Sequence, residues 1–116
     1  MLVYKQDNGE LELDEHFEGL GYSGTGKGRN NPEAESEVNV GPIPKGRYSI
    51  GPAHDHPTLG AVVFNLEPVG HDAHGRSAFR IHGDSKSHDA SHGCIVAGRT
   101  IRERIRDDHE TELEVI

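Results

Sequence analysis

Apolar positions along this chain come in short runs, most of them alternating with polar ones, and a period of two predicts strands rather than helices. Residues 2–13, LVYKQDNGELEL, are two such runs joined at Asn8 and Gly9, a pair that accepts the positive backbone angles of a two-residue hairpin turn. RYSI at 47–50, AVVFNLEP at 61–68 and SAFRIHG at 77–83 predict further short strands, and the closing TELEVI alternates as a half-buried strand does. Helical spacing occurs at Ile101 and Ile105, where Thr100 followed by Glu103 gives a capping-box pattern and predicts a short helix running to about Asp107. The glycine-rich stretch GLGYSGTGKGRNNP at 19–32 reads as a long surface loop, and VGPIPKGRYSIGP at 40–52 as turns set by prolines and Gly46. The sum is a mainly β, mostly antiparallel domain with one short helix.

Composition changes this picture little. A chain of 116 residues suffices for one compact domain, so residues 1–116 are read as a single unit. With 32% hydrophobic residues, 15 glycines and 6 prolines, much of it must be turns around a modest core. The formal charge of −8 argues against a nucleic-acid partner, which would demand clustered Lys and Arg. One cysteine cannot form an internal disulfide, which excludes a small disulfide scaffold. MLVYKQDNGE lacks a basic segment leading into an apolar run, so neither a secretory signal nor a membrane span is expected.

The chemistry concentrates in IHGDSKSHDASHGCIV at 81–96, which holds the lone Cys94. GYSGTGK at 21–27 nearly fits a phosphate-binding loop, but Gly28 stands where a hydroxyl would hold magnesium. His54, His56, His71 and His74 have ligand-like spacing yet lie in connections rich in Pro, Gly and Asp, where solvated surface histidines are common. His82, His92 and Cys94 would form a sufficient first shell for a catalytic zinc. Cys94 as a nucleophile needs a base and oxyanion donors. His82, closing a strand, is a rigidly held candidate base, and Gly93 permits a tight turn whose main-chain N–H groups could face an oxyanion. Ser91 and His92 line the same turn. The bland alternatives are an inert buried thiol and a half-buried histidine at a strand end.

At SHGC, preceded by a strand ending in IHG, the sequence resembles the L,D-transpeptidases, the YkuD-like cysteine enzymes of peptidoglycan metabolism. YSG at 22–24, GPIPKGRYSIG at 41–51, GRSAFRIHGD at 75–84 and ASHGCIV at 90–96 look like the short branch of that superfamily found as type VI secretion effectors, over roughly residues 4 to 105. The resemblance implies a β-sandwich or barrel-like fold with Cys94 as acyl acceptor, His82 as general base, His92 lining the nucleophile turn, and Ser91 and Gly93 supporting it. It also implies a Gly83 carbonyl that orients the imidazole. Tyr22, Ser23, Arg80, Lys86 and Arg99 are the nearest candidates to bind substrate. The implied reaction removes or exchanges the terminal D-alanine of a tetrapeptide stem through a thioester, with no cofactor. The twelve positions from His82 to Cys94 form a shorter gap than in the wall-synthesising members, which implies a reduced lid.

The effector resemblance further implies delivery by type VI machinery to the periplasm of target bacteria, and a cognate immunity protein as partner. Two other classes stand beside this reading: a zinc hydrolase or zinc-binding module using His82, His92 and Cys94, and a non-catalytic peptidoglycan-binding domain. A papain-like or NlpC-like peptidase fits less well, because those chains place the cysteine before its histidine and only His109 follows Cys94.

Overall fold

The computed structural model describes residues 1–84 and 93–116. Ten strands make one strongly curled sheet: β1 (Leu2–Tyr4), β2 (Glu10–Leu13), β3 (His16–Leu20), β4 (Tyr22–Ser23), β5 (Gly46–Ile50), β6 (His54–His56), β7 (Gly60–Val69), β8 (Phe79–His82), β9 (Ile95–Val96) and β10 (Glu112–Val115). The helix α1 spans Arg99–Asp107. Strand order is β3-β2-β1-β10-β5-β7-β8-β9-β4, with β6 pairing on β7. The two ends of that order, β3 and β4, are separated in sequence by Gly21 alone. The sheet must therefore curl until its edges meet, and Gly21 is the seam. Its N–H donates to the Gly9 carbonyl at 2.7 Å, and a Cβ there would stand 2.2 Å from the Val96 carbonyl oxygen. The result is a nearly closed, mainly β barrel-like sheet with a single short helix, as the alternating pattern predicts.

The alternation does the sorting. Leu11 and Leu13 of β2, Leu113 and Val115 of β10, and Leu2 and Tyr4 of β1 point into the core while the intervening Glu and Val positions do not. Phe64, Leu66, Ile81 and Ile95 continue that core, and Ile101 and Ile105 close it from α1. Each such fully buried side chain contributes about 1.5–3 kcal/mol.

Several details differ from expectation. The first hairpin forms, but its pairing runs Tyr4↔Leu11 with Lys5 N–H donating to Glu10, so the turn is wider than two residues. Gln6 is drawn inward, donating from its side chain to the Ile43 carbonyl at 3.0 Å, which holds the wider turn. The 19–32 stretch is not a simple surface loop: Ser23 and Gly28 are buried, and β4 pairs with β9. Its glycines allow backbone to lie on backbone, as at Gly28, where a Cβ would fall 2.0 Å from the Val40 carbonyl oxygen. The capping box does not form. Gly98 caps the helix without a side-chain hydrogen bond, Thr100 lies inside the first turn, and Glu103 pairs with Arg99 at 3.2 Å. The chain leaves β9 extended and turns at once into α1, which starts the helix two residues early. His54 and His56 form β6 rather than a connection. Most ladders are antiparallel, but β1·β10 and β8·β9 are parallel. Among the described residues no helix is long and apolar enough to cross a membrane.

Candidate active site

β8 and β9 pair in parallel with Ile81 opposite Ile95 and His82 opposite Val96. β4 then pairs with β9 so that Tyr22 faces Val96 and Ser23 faces Ile95. Because faces alternate along a strand, Ile81, Ile95 and Ser23 form one inward row, all fully buried. His82, Val96 and Tyr22 form a row on the opposite face. Extending the register past the end of β9 sets Cys94 opposite Arg80, whose backbone N–H and charge both favour the thiolate. Cys94 thus lies one residue before β9, beside the strand that His82 closes.

His82 is buried, and its Nδ1 lies 2.7 Å from the Gly83 carbonyl. A carbonyl only accepts, so Nδ1 carries the hydrogen and the neutral ring keeps its lone pair on Nε2. Burial lowers the His82 pKa below its ordinary 6.5, outweighing the Gly83 hydrogen bond that raises it; Arg102 and Arg80 push the same way as burial. At neutral pH the imidazole is therefore uncharged and able to accept a proton.

Cys94 is half-buried, its Sγ 3.8 Å from the Ala78 carbonyl oxygen. Burial raises its pKa above the ordinary 9.0, against the Arg80 backbone hydrogen bond and the charges of Arg80 and Arg76. The resting sulfur is thus a thiol, not a standing thiolate. The arrangement suits proton transfer during attack rather than a preformed ion pair.

Just before the sulfur, Gly93 adopts φ +117°, a left-handed conformation that glycine alone takes without strain. Ser23, read from sequence as a substrate contact, is fully buried, with its hydroxyl accepting from Ile43 N–H at 2.8 Å and donating to the Gly93 carbonyl at 3.4 Å. It secures the turn from beneath rather than meeting substrate.

The other candidates divide. Tyr22 donates its hydroxyl to the Asp84 carboxylate and carries Arg29 over its ring at 3.9 Å from the centroid. Arg80 donates from Nε to Asn65 at 3.1 Å. Arg99 is exposed and paired with Glu103. Ser91, His92 and Lys86 lie outside the described residues. A cavity of about 350 Å³ is bordered by Tyr22, Asp84, Val96, Gly98, Arg99 and Arg102, with neither His82 nor Cys94 in its wall. It brings Tyr22 and Arg99 together at one mouth.

Sequence reasoning missed two buried arginines. Arg76 donates to the carbonyls of Glu35, Pro42 and Gly41 at 2.6, 2.7 and 3.0 Å. Arg102 donates to Ala97, Ala61 and Val62 carbonyls at 3.0, 2.6 and 3.2 Å and packs against Gly83, where a Cβ would stand 2.8 Å from Nη2. Since Ala97 N–H in turn donates to the His82 carbonyl at 2.9 Å, Arg102 fastens α1 to the strand end that carries the imidazole. It also grips Val62, a β-branched residue at φ +57°, a conformation costing about 1–3 kcal/mol unless its surroundings impose it.

Of the trio considered for zinc, His92 lies outside the described residues; among those described, no three His, Cys, Asp or Glu side chains gather as ligands. His71 is held on Tyr48 edge-to-face at 5.1 Å, and His74 lies 3.4 Å from Glu35.

No curated protein matches the chain at a significant level. The family model described as the Tlde1 domain matches residues 18–115, from within β3 to the end of β10, including α1, His82 and Cys94. By that match the chain belongs to the Tlde1 domain family, a family of type VI secretion effectors.

Proposed function

We propose that this protein is a cysteine-dependent L,D-transpeptidase or L,D-carboxypeptidase that acts on peptidoglycan tetrapeptide stems. The observation that carries the reading is the parallel pairing of β8 with β9: β8 ends in a neutral imidazole whose Nε2 holds the lone pair, and a half-buried thiol immediately precedes β9. Cys94 attacks the carbonyl of the third stem residue as His82 takes the thiol proton. Collapse of the tetrahedral intermediate breaks the bond to the terminal D-alanine, which leaves as the amine after receiving that proton, and a thioester remains on Cys94. Water then completes hydrolysis, a free D-amino acid gives exchange, and a second stem's side-chain amine gives a cross-link.

The main-chain N–H groups at Gly93 and Cys94 are the donors offered to the oxyanion. The cavity bordered by Tyr22, Asp84 and Arg99 accepts the stem, with Arg99 facing a stem carboxylate and Asp84 a stem amine. Type VI delivery to the periplasm of a target bacterium places the enzyme beside its substrate, and a cognate immunity protein would protect the producing cell by covering this cleft.

Digestion of purified sacculi followed by mass analysis of the muropeptides tests the reading. The wild-type protein should convert tetrapeptide stems to species lighter by one D-alanine, or to exchanged or cross-linked stems, and Cys94→Ala should leave them intact. Unchanged stems with the folded wild-type protein would favour a non-catalytic wall-binding domain instead.

A further inference from the structure

Arg76 is a cation inside the protein. It is about 6% exposed, and among the described residues its guanidinium is held by three main-chain carbonyls rather than by a carboxylate. Carbonyl dipoles solvate a guanidinium but leave its full positive charge standing, so that charge acts on whatever else lies near. What lies near is the nucleophile turn. A methyl group on Gly93 would stand 2.3 Å from Arg76 Nη2 and 3.7 Å from Phe79, and the guanidinium carbon itself sits 5.6 Å from the Phe79 ring centroid. The fork therefore reaches from the carbonyls of Glu35, Gly41 and Pro42 across Phe79 to the backbone that immediately precedes the sulfur. Ser23 joins the same two regions independently, linking Ile43 N–H to the Gly93 carbonyl.

We propose that Arg76 is a positioning residue for Cys94: it clamps the 41–43 segment under the Gly93–Cys94 turn and supplies a fixed positive charge that favours the thiolate as it forms. This rests on the reading that Cys94 is the nucleophile, and it extends that reading to a residue that touches no substrate. The charges acting on the sulfur are Arg80 on β8 and Arg76 from the turn before it, while Glu35 and Tyr48 face Arg76. Arg80, partly exposed and bonded to Asn65, is also cationic and adds its charge to that of Arg76. The clamp also accounts for glycine at position 93 on two grounds, the sign of φ and the guanidinium that occupies the side-chain direction.

The test is the pH profile of Cys94 alkylation by iodoacetamide, measured without substrate on wild type, Arg76→Met and Arg76→Lys, each also in a His82→Gln background to remove imidazole titration from the curve. Losing the charge should move the alkylation midpoint up by roughly one unit and slow alkylation at neutral pH about tenfold. Arg76→Lys keeps the charge without the two-pronged grip and should fall between the two. A thermal melt on each variant separates this from loss of the fold. If Arg76→Met does not fold, Arg76→Lys decides. A wild-type midpoint in the folded variants overturns the proposal, and a raised midpoint that persists without His82 supports it. Alkylation is read whether or not the protein turns over stem peptide, so failure of the transpeptidase reading would appear separately, as absent D-alanine release with the midpoint shift intact.

Discussion

The two halves of the site are held in different ways. His82 ends β8, paired with Val96 of β9, with its ring pinned by the carbonyl of the very next residue. Cys94 lies one residue before β9, in a bend that depends on a left-handed glycine and on contacts from distant parts of the chain, Ser23 and Arg76. Regular secondary structure fixes the proposed base, whereas tertiary packing fixes the proposed nucleophile. Damage to the base should therefore remove chemistry and spare the fold, and damage to the nucleophile turn should disturb both together.

The largest effect expected from this contrast is at the base. His82→Gln should reduce turnover of tetrapeptide stems by roughly 10²–10⁴-fold, the usual worth of a positioned general base, while its thermal midpoint stays close to that of wild type. A steady-state assay beside a melt checks both halves of that statement. Gly93→Ala should behave oppositely. Left-handed strain of about 1–3 kcal/mol, added to the contact with Arg76, should lower the melting temperature and the rate together. Equal stability in Gly93→Ala would break the comparison.

Ser23→Ala sharpens it further. Removing the hydroxyl strands the buried Ile43 N–H, which costs about 1–3 kcal/mol and should be visible as an earlier urea midpoint. The Cys94 alkylation midpoint should stay in place, because Ser23 carries no charge.

The smallest effect is a pH dependence. The folded-state pKa of His82 is lowered below the 6.5 of an unperturbed imidazole, so between those values the unfolded chain binds a proton that the folded one does not. Stability from this group is complete above about pH 6.5 and is lost as pH falls toward the folded pKa. Urea midpoints across pH 4 to 8 should show a slope in that window, and His82→Gln should flatten it. The acid limb of turnover should likewise fall below pH 6.5.

The contrast also explains what could be read in the sequence. Strands whose alternating residues separate core from solvent, such as ELEL, FRIH and ELEV, announced themselves, and so did the short helix through Ile101 and Ile105. His82 was legible because a strand end fixes it. The same local rules failed where distant backbone decides the conformation. GLGYSGTGKGRNNP looked like loop because its glycines have nothing to bury, yet those glycines let β4 close the barrel and let Gly28 lie on Val40. Thr100 and Glu103 matched a helix start, but the exit from β9 placed the cap at Gly98. Arg76 and Arg102 went unmarked, because the carbonyls that receive them come from segments some 34 to 41 positions away. Nothing in GRS or TIRER marks such a partner. His54 and His56 looked like isolated surface histidines for a related reason, since β6 exists only by pairing with β7.

The central claim is that Cys94 becomes acylated when His82 takes its proton, and intact-protein mass spectrometry of acid-quenched mixtures with a tetrapeptide stem measures this most directly. The account predicts a covalent species on wild type heavier by the stem less its D-alanine, mapped to Cys94, reduced in His82→Gln and missing from Cys94→Ala. Release of D-alanine by Cys94→Ala at the wild-type rate would contradict it.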